Sequence, residues 1–155
     1  PEGILYDNGM RFHGFDIIHA DGRYDLPPYE LREQTSFEVR LWWSADRPVD
    51  RDYHVSLQIH DAITGQLVTQ NDSAPQLVHL KPNAFEPLPG TTETWIPHQM
   101  YVDVRILDAP DTYAEVPSDL ILIVYSLPDG DRVSTVDRPS DSLLPLSSTV
   151  IWGWG

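Results

Sequence analysis

The sequence predicts an all-β domain in which two antiparallel sheets pack as a sandwich. Three observations support this fold class. Apolar and polar residues alternate along several segments, as in strands that bury one face. Turn-forming residues separate these segments, and proline is abundant, with 14 among 155 residues. No stretch has the 3.6-residue apolar period of a helix longer than one turn. Short strands with one apolar face are typical of two packed sheets.

The first strands are expected near the N-terminus. Residues 3–7 can form an edge strand before the turn dipeptide Asn8-Gly9. Residues 11–20 alternate loosely and form a second candidate strand. Residues 23–34 contain a proline pair, so they are predicted to be a connection, with one helical turn near residues 29–32.

The strictest alternation lies in two segments, residues 35–45 and 52–61. Their apolar faces hold, in turn, Phe37, Val39, Leu41 and Trp43, and Tyr53, Val55, Leu57 and Ile59. A short loop ending in Gly65 then predicts a hairpin that returns through residues 66–70. The three strands are expected to form a meander.

The C-terminal half combines further strands with irregular stretches. Residues 71–94 contain four prolines and are predicted to be a long loop, which is usually functional or a crossover. Residues 119–127 are apolar on both faces, as in a central strand. Four further strands are predicted, at residues 100–107, 119–127, 132–137 and 148–154. A proline- and serine-rich linker is expected over residues 138–147.

The total is seven to nine strands in one domain over residues 1–155, with an immunoglobulin-like or jelly-roll-like arrangement. The chain begins Pro1-Glu2-Gly3 without an initiator methionine. We therefore expect either a processed protein or, as we favour, an excised piece of a longer one.

Composition excludes several classes of function. Acidic residues number 24 against 10 basic ones, giving a formal charge of −14. Such a field repels nucleic acid and anionic membrane surfaces. The absence of cysteine excludes disulfides, thiolate metal sites and a cysteine nucleophile. No apolar run approaches the roughly 20 residues of a membrane span, so this segment is not expected to insert into a membrane.

Motifs for catalysis are not found in the sequence. His54 and His60 share a strand face, but they lie about 20 Å apart at about 3.3 Å per residue, too far to bind one metal ion. There is no nucleophile elbow, no glycine-rich phosphate loop, and no carboxylate pair that stands out among the 24 acids. We predict no enzyme activity, no metal site and no cofactor; a hydrolase with dispersed carboxylates is an alternative.

Two acidic turns could supply oxygen ligands to calcium. They are Asp7-Asn8-Gly9 and Asp129-Gly130-Asp131. Both lack the ligand spacing of an EF-hand loop, and turn chemistry is sufficient to explain them.

The tryptophans are the strongest candidates for binding. Trp42 and Trp43 are consecutive on a strand, so one faces inward; the alignment with Leu41 makes it Trp43. Trp42 is then solvent-facing or covered by a loop. An exposed aromatic on a sheet can stack on a sugar ring or pack against a neighbouring domain. Trp152 and Trp154 share one face of the last strand and pose the same choice.

Several short motifs follow one another over residues 35–135. They are Leu41-Trp42-Trp43, Asp52-Tyr53-His54-Val55, Asp61 to Gly65, Asp72 to Pro75, Trp95-Ile96-Pro97, and Ile121 to Tyr125 with Gly130 and Arg132 after it. In this order they resemble the extracytoplasmic C-terminal β-sandwich domain of polytopic membrane proteins of the protein-mannosyltransferase-like glycosyltransferase superfamily. The catalytic acids of that family lie outside the corresponding region, so the resemblance transfers no catalytic residue.

The resemblance implies a non-catalytic extracytoplasmic accessory domain, attached through a parent membrane protein. Its role would be contact with a glycan or with adjacent domains of that protein. A freestanding carbohydrate-binding module is the first alternative. The residues predicted to bind are Trp42, Trp95, His54, His60 and Asp72, with the loop at 71–94 beside them.

Overall fold

Strands dominate the structure and assemble into two sheets around one core. The computed structural model describes residues 2–27, 29–32, 36–81, 84–88, 90–108, 116–138 and 142–153. Within these residues the elements are β1 (Ile4–Leu5), β2 (Met10–His19), β3 (Tyr24–Asp25), β4 (Glu30–Arg32), β5 (Ser36–Ala45), β6 (Tyr53–Asp61), β7 (Leu67–Ser73), β8 (Leu77–Lys81), β9 (Ala84–Pro87), a 3₁₀ helix (Thr92–Thr94), β10 (Tyr101–Asp108), β11 (Val116–Ser126), β12 (Arg132–Val133) and β13 (Leu144–Gly153).

The predicted sandwich of two antiparallel sheets is confirmed. The seven-stranded sheet has the order β1-β2-β5-β10-β8-β9, with β3 on β2; the six-stranded sheet has the order β4-β13-β11-β6-β7, with β12 on β11. Only the pairing of β13 with β4 is parallel among the described strands. Four of these strands have two or three residues, too few to show alternation, and the other nine agree with the predicted seven to nine. The immunoglobulin-like or jelly-roll-like subclass stays a prediction.

The core lies between the two sheets and is formed by the predicted apolar faces. Phe37, Val39, Leu41 and Trp43 of β5 are at most 1% exposed. Val55, Leu57 and Ile59 of β6 are fully buried against them from the other sheet. Trp43 is therefore the inward tryptophan, as the alternation predicts. The β6–β7 hairpin and the central position of β11 are also confirmed.

The predicted meander is wrong, because β5 and β6 belong to different sheets. The link between them does not turn back within one sheet. It passes from one sheet to the other along the edge of the core. Val49 in this link is 4% exposed and belongs to the core cluster. Local alternation shows that both strands have an apolar face, but it does not show which sheet each strand joins.

The predicted loop over residues 71–94 is also wrong. It contains the end of β7, the β8–β9 hairpin and the 3₁₀ helix. β8 pairs with β10 and β9 pairs only with β8, so the hairpin extends the edge of the seven-stranded sheet. Proline is tolerated at such an edge, since an edge strand leaves N–H positions that need no ladder partner.

Two smaller predictions need correction at the other sheet. The expected helical turn near residues 29–32 is β4, which runs parallel to the end of β13. β13 begins at Leu144, inside the expected linker at 138–147. Trp154 lies outside the described residues, and so does the predicted face that it shares with Trp152.

One ion pair joins the start of β2 to the end of β5. Arg11 donates two hydrogen bonds to the Asp46 carboxylate, Nε to Oδ1 at 2.9 Å and Nη2 to Oδ2 at 2.7 Å. The Arg11 hydrogen bond is the main cause that lowers the pKa of Asp46 below its usual 3.8. The ionised carboxylate is therefore favoured by folding.

We expect Asp46→Asn to lower the melting temperature at pH 7, by a difference that shrinks toward pH 3. Because the folded pKa of Asp46 is depressed, its contribution is present above the unfolded pKa and is lost as the pH falls through the folded pKa. Thermal unfolding at both pH values measures this. Asp21→Asn is the control, since its Arg23 partner is 70% exposed and such pairs stabilise little. Equal losses in the two variants would contradict the prediction.

Candidate functional site

The structure distributes the predicted binding residues over three places. His54, His60 and Asp72 lie on the outer face of the six-stranded sheet, since they alternate with the buried residues of β6 or pair with its outward positions. Trp42 lies on the outer face of the seven-stranded sheet. Trp95 lies in the core. The structure therefore places only three of the five predicted residues on one face.

Trp95 has no ring face that a ligand could reach. It is 4% exposed, its ring stacks on Tyr101 with centroids 5.1 Å apart, and it lies 6.4 Å from Trp43. The preceding 3₁₀ helix fixes this position, because the Thr92 hydroxyl donates to the carbonyl of Arg51. Trp95 thus closes one end of the core, and a ligand cannot stack on it.

Trp42 is half-buried and lines a shallow groove. Its Nε1 donates to Asp16 Oδ2 at 2.9 Å, which holds the indole on the outer sheet surface. The groove has a volume of about 220 Å³. It is lined by Trp42, Val78, Leu88, Gln99, Met100, Tyr101 and Val102. Most of these side chains are apolar, so the groove offers few groups that could hydrogen-bond to a ligand.

The outer face of the six-stranded sheet is polar and well connected. On β6, the Gln58 amide donates to Ser56 Oγ at 2.9 Å and to Gln70 Oε1 at 3.2 Å. His60 Nε2 lies 2.7 Å from Gln58 Oε1. These contacts hold the side chains in a fixed row along the sheet. His54 and His60 are at opposite ends of this row, six positions apart on one strand, as expected from the sequence.

Tyr125 is the central residue of this face. Its hydroxyl donates to Asp72 Oδ1, although β6 lies between their strands, β11 and β7. Neighbouring strands are about 4.8 Å apart, so the long axis of the phenol must cross β6 to reach Asp72. Ser56 and Ile123, which face outward on β6 and β11, are only 2% and 3% exposed, as expected beneath such a ring. The Tyr125 side chain is itself only partly buried.

The phenol keeps its proton at any pH that the protein is expected to meet. Burial, then the hydrogen bond to Asp72, raises the pKa of Tyr125 to about 12. The Tyr125 hydroxyl therefore keeps the proton that it donates to Asp72. The imidazole of His54 lies beside it, with ring centroids 5.8 Å apart and planes tilted by 54°.

A cavity of about 280 Å³ opens beside the ring. Hydroxyl, amide, carboxylate and guanidinium groups surround it together with one apolar side chain; the lining residues are Ser56, Gln58, Asp72, Ile123, Tyr125, Gly130 and Arg132. Together with His54, these residues form a surface that we call the Tyr125 face. A flat ring with hydrogen-bonding groups around it can hold a polar ring-shaped ligand by stacking and hydrogen bonds.

Tyr125 and Arg132 are not among the residues that the sequence predicts to bind. The pattern that could have indicated them is the alternation in β11, which places Ile121, Ile123 and Tyr125 on one face. The hairpin turn then pairs Arg132 of β12 directly with Tyr125. Because residues 119–127 are apolar on both faces, the sequence pattern includes the tyrosine among the residues of a buried central strand.

The two acidic turns lie near one another at one end of the sandwich. The N–H of Asp7 donates to the carbonyl of Ser134 at 3.0 Å, and Asp7 and Asp131 line the same cleft. Among the described residues, no group of three histidine or acidic side chains is arranged to hold a metal ion. Calcium binding at these turns stays a prediction. Among the same residues, no helix is long and apolar enough to cross a membrane.

The fold and this face define the protein as a β-sandwich domain with one polar, aromatic-centred sheet surface. A comparison with protein-family models finds no match, and a comparison with curated protein sequences finds none either. The motif resemblance to the membrane-protein family therefore has no support from these comparisons, whereas the β-sandwich that it implies is present.

Solved structures with a similar fold include the C-terminal domain of Wzt. The two share 12% sequence identity with a TM-score of 0.48, over 97% of this chain and 76% of that one. Another is Bacteroides uniformis beta-glucuronidase 2, covalently bound to cyclophellitol-6-carboxylate aziridine. It shares 11% identity with a TM-score of 0.42, over 79% of this chain and 12% of the enzyme. At these values we take no function from either protein.

Proposed function

We propose that this domain is a non-catalytic glycan-binding module and that the Tyr125 face is its binding site. The observation that carries the proposal is the position of Tyr125, whose hydroxyl reaches across β6 to Asp72 and whose partly exposed side chain lines a polar cavity. An aromatic ring held in this way can stack on the apolar face of a sugar. The Asp72 carboxylate, which receives one hydrogen bond from Tyr125, can accept others from sugar hydroxyl groups.

The Tyr125 face is better suited to a sugar than the groove at Trp42. The groove has an indole whose N–H is already bonded to Asp16, and mostly aliphatic neighbours. A sugar ring has many hydroxyl groups, and burying them without partners costs free energy. The polar groups around Tyr125 provide such partners, so the sugar-binding role predicted for Trp42 is reassigned to the opposite sheet.

The proposal includes binding without catalysis. A general acid for glycoside cleavage needs a raised carboxyl pKa. Glycoside cleavage generally uses two carboxyl groups, and among the described residues Asp72 is the one carboxylate that lines the cavity beside Tyr125. An assay that detects cleavage of any bound glycan would contradict this part of the proposal.

The wider setting is proposed from the motif resemblance. We propose that the domain works outside the cytoplasm as an accessory part of a membrane-associated glycosyltransferase-like protein. The strongly acidic surface is consistent with a domain that stays in solvent rather than on an anionic membrane. The parent gene tests this: it should encode several apolar segments of about 20 residues upstream of the domain. A parent gene without such segments would contradict the accessory role.

We expect Tyr125→Ala to weaken glycan binding roughly tenfold or more, since truncating a central aromatic removes most of its stacking surface. Tyr125→Phe should have an intermediate effect, because the ring remains but loses its bond to Asp72. A glycan array identifies the ligand, and isothermal titration measures the affinity of each variant.

Two other variants make the result specific. Tyr24→Ala removes a ring that is 59% exposed on the other sheet, and it should leave binding unchanged. Trp42→Ala should also bind normally. If the native protein binds no glycan, or if Tyr125→Ala binds as well as the native protein, the proposal is wrong. A loss of glycan binding in Trp42→Ala alone would place the site in the groove at Trp42.

A further inference from the structure

A second and larger cleft lies at the end of the sandwich beside the Tyr125 face. Its volume is about 450 Å³, within the roughly 300–1,000 Å³ that is usual for small-molecule sites. Three connections build it: the turn before β2, the link from β5 to β6, and the turn after β11. The lining residues are Asp7, Asn8, Arg47, Pro48, Asp50, Arg51, Tyr53, Ser126, Asp131, Arg132, Val133 and Ser134.

Three arginines and three aspartates line this cleft. The chain has ten basic residues and a net charge of −14, yet Arg47, Arg51 and Arg132 all line this one site. Arg51 lies 3.6 Å from the Asp129 carboxylate and is partly neutralised. Arg47 donates to the main-chain oxygen of Asp7 at 2.6 Å, a contact with a neutral group.

Two of these guanidinium groups form no direct ion pair among the described residues. In the part of the chain that the structure describes, neither Arg47 nor Arg132 has a carboxylate within ion-pair distance. Arginine binds carboxylates through two parallel hydrogen bonds, which gives both strength and orientation. The cleft can therefore bind a carboxylate that the protein itself does not supply.

Arg132 joins the cleft to the proposed glycan site. It lines the 450 Å³ cleft and also the 280 Å³ cavity beside Tyr125. On the backbone, it is paired directly with Tyr125. A ligand of more than one sugar ring that stacks on Tyr125 can thus place its next residue against Arg132.

Carboxylates in the lining restrict what kind of anion fits. Asp7, Asp50 and Asp131 face the same space as the arginines. They would repel a polyanion, but they can accept hydrogen bonds from hydroxyl groups. A ring that carries one carboxylate and several hydroxyls matches both kinds of group.

We infer that the ligand is an acidic glycan, with the carboxylate of one sugar bound by Arg132 and Arg47 in the cleft and a neighbouring ring stacked on Tyr125. This rests on the proposed function, because it names the class of glycan that the same face would bind. The hydroxyl groups of the acidic sugar are held by the aspartates of the cleft.

The test uses a glycan array on which uronate- and neuraminate-containing glycans are paired with their carboxyl-reduced counterparts. Reduction converts the carboxylate into a neutral hydroxymethyl group and leaves the ring hydroxyls unchanged. We expect the native domain to bind the acidic member of a pair about tenfold more tightly, since hydrogen bonds to charged groups are the stronger ones. The preference should weaken with added salt.

Variants then assign the preference to the cleft. Arg132→Met should remove it, with roughly tenfold weaker binding of the acidic glycan and little change for the reduced one. Arg132→Lys should retain part of it, because the charge remains without the planar fork. Arg23→Met is the matched control, since it makes the same change of net charge at an exposed turn of the other sheet.

The possible outcomes separate the two proposals. Binding of reduced glycans as tight as that of acidic ones, or a preference that survives in Arg132→Met, would overturn the acidic-glycan inference and leave the glycan-binding function standing. Absence of binding to any glycan would overturn both. A preference lost equally in Arg23→Met would show an effect of net charge, and it would overturn the assignment to the cleft.

Discussion

Replacing Arg105 by methionine should destabilise the domain by about 3–5 kcal/mol, the cost usual for removing one partner of a buried ion pair. Arg105 and Asp103 are both fully buried. The guanidinium contacts the carboxylate through two atoms, Nε to Oδ1 at 2.8 Å and Nη2 to Oδ2 at 3.0 Å. Arg105→Met leaves the Asp103 carboxylate in the core without its countercharge.

Arg105 also connects the two sheets. It belongs to β10 of the seven-stranded sheet, and its Nη1 donates to the carbonyl oxygens of Val55 at 2.9 Å and Asn71 at 3.1 Å in the six-stranded sheet. Nη2 donates to the carbonyl of Ser73 at 3.2 Å. Removing the side chain therefore also leaves buried acceptors without their donor, which adds to the loss.

Urea unfolding followed by circular dichroism measures the effect. The control is Arg23→Met, which removes an exposed arginine and should change the free energy of unfolding by no more than about 0.5 kcal/mol. The double replacement Asp103→Leu with Arg105→Met removes both charges, so it should recover part of the loss. A single Arg105 variant as stable as the control would show that the pair does not hold the sheets together.

This pair also shows how far the sequence determines the fold. The alternation in β10 is visible, and it places Tyr101, Asp103 and Arg105 on one face and Val102, Val104 and Ile106 on the other. Hydrophobicity alone would turn the valine face inward. In the structure Asp103 and Arg105 are fully buried, while Ile106 is 46% exposed. The partners that make this burial possible lie on β6 and β7, more than thirty residues away along the chain.

Only part of the candidate site could be predicted from the sequence, because pairing between distant strands brings in its other residues. His54, His60 and Asp72 are on one outer face because strand alternation and the β6–β7 hairpin fix their positions locally. Tyr125 and Arg132 join them only through the pairing of β11 with β6 and β12, which the local pattern does not show. Trp95 is predicted to bind a ligand, but the 3₁₀ helix before it directs its ring into the core.

Trp43 lies at the centre of the core, and its removal is the second change with a large expected effect. It is fully buried, with Phe12 at 5.0 Å, Tyr6 at 6.0 Å and Trp95 at 6.4 Å between ring centroids. We expect Trp43→Ala to cost about 3–5 kcal/mol, the transfer free energy of the indole plus the cavity that it leaves. For a domain of this size each kcal/mol lowers the melting temperature by roughly 2–4 °C.

The adjacent Trp42 provides the matched control, because the same substitution at the next residue removes the same side chain from the outer sheet face. Trp42→Ala should cost much less, about 1 kcal/mol, since it opens no cavity in the core. Thermal and urea unfolding of both variants compare the two positions directly. Similar losses at Trp42 and Trp43 would contradict the assignment of the inward and outward faces of β5.

A smaller aromatic ring at position 43 tests how much of the stability depends on the full indole. The Nε1 atom of Trp43 is buried and has no hydrogen-bond partner among the described residues. A buried donor without a partner costs about 1–3 kcal/mol. Trp43→Phe removes this donor together with part of the ring, so it should lose much less stability than Trp43→Ala. If Trp43→Phe were as unstable as Trp43→Ala, the core would depend on the full size of the indole, which would contradict this expectation.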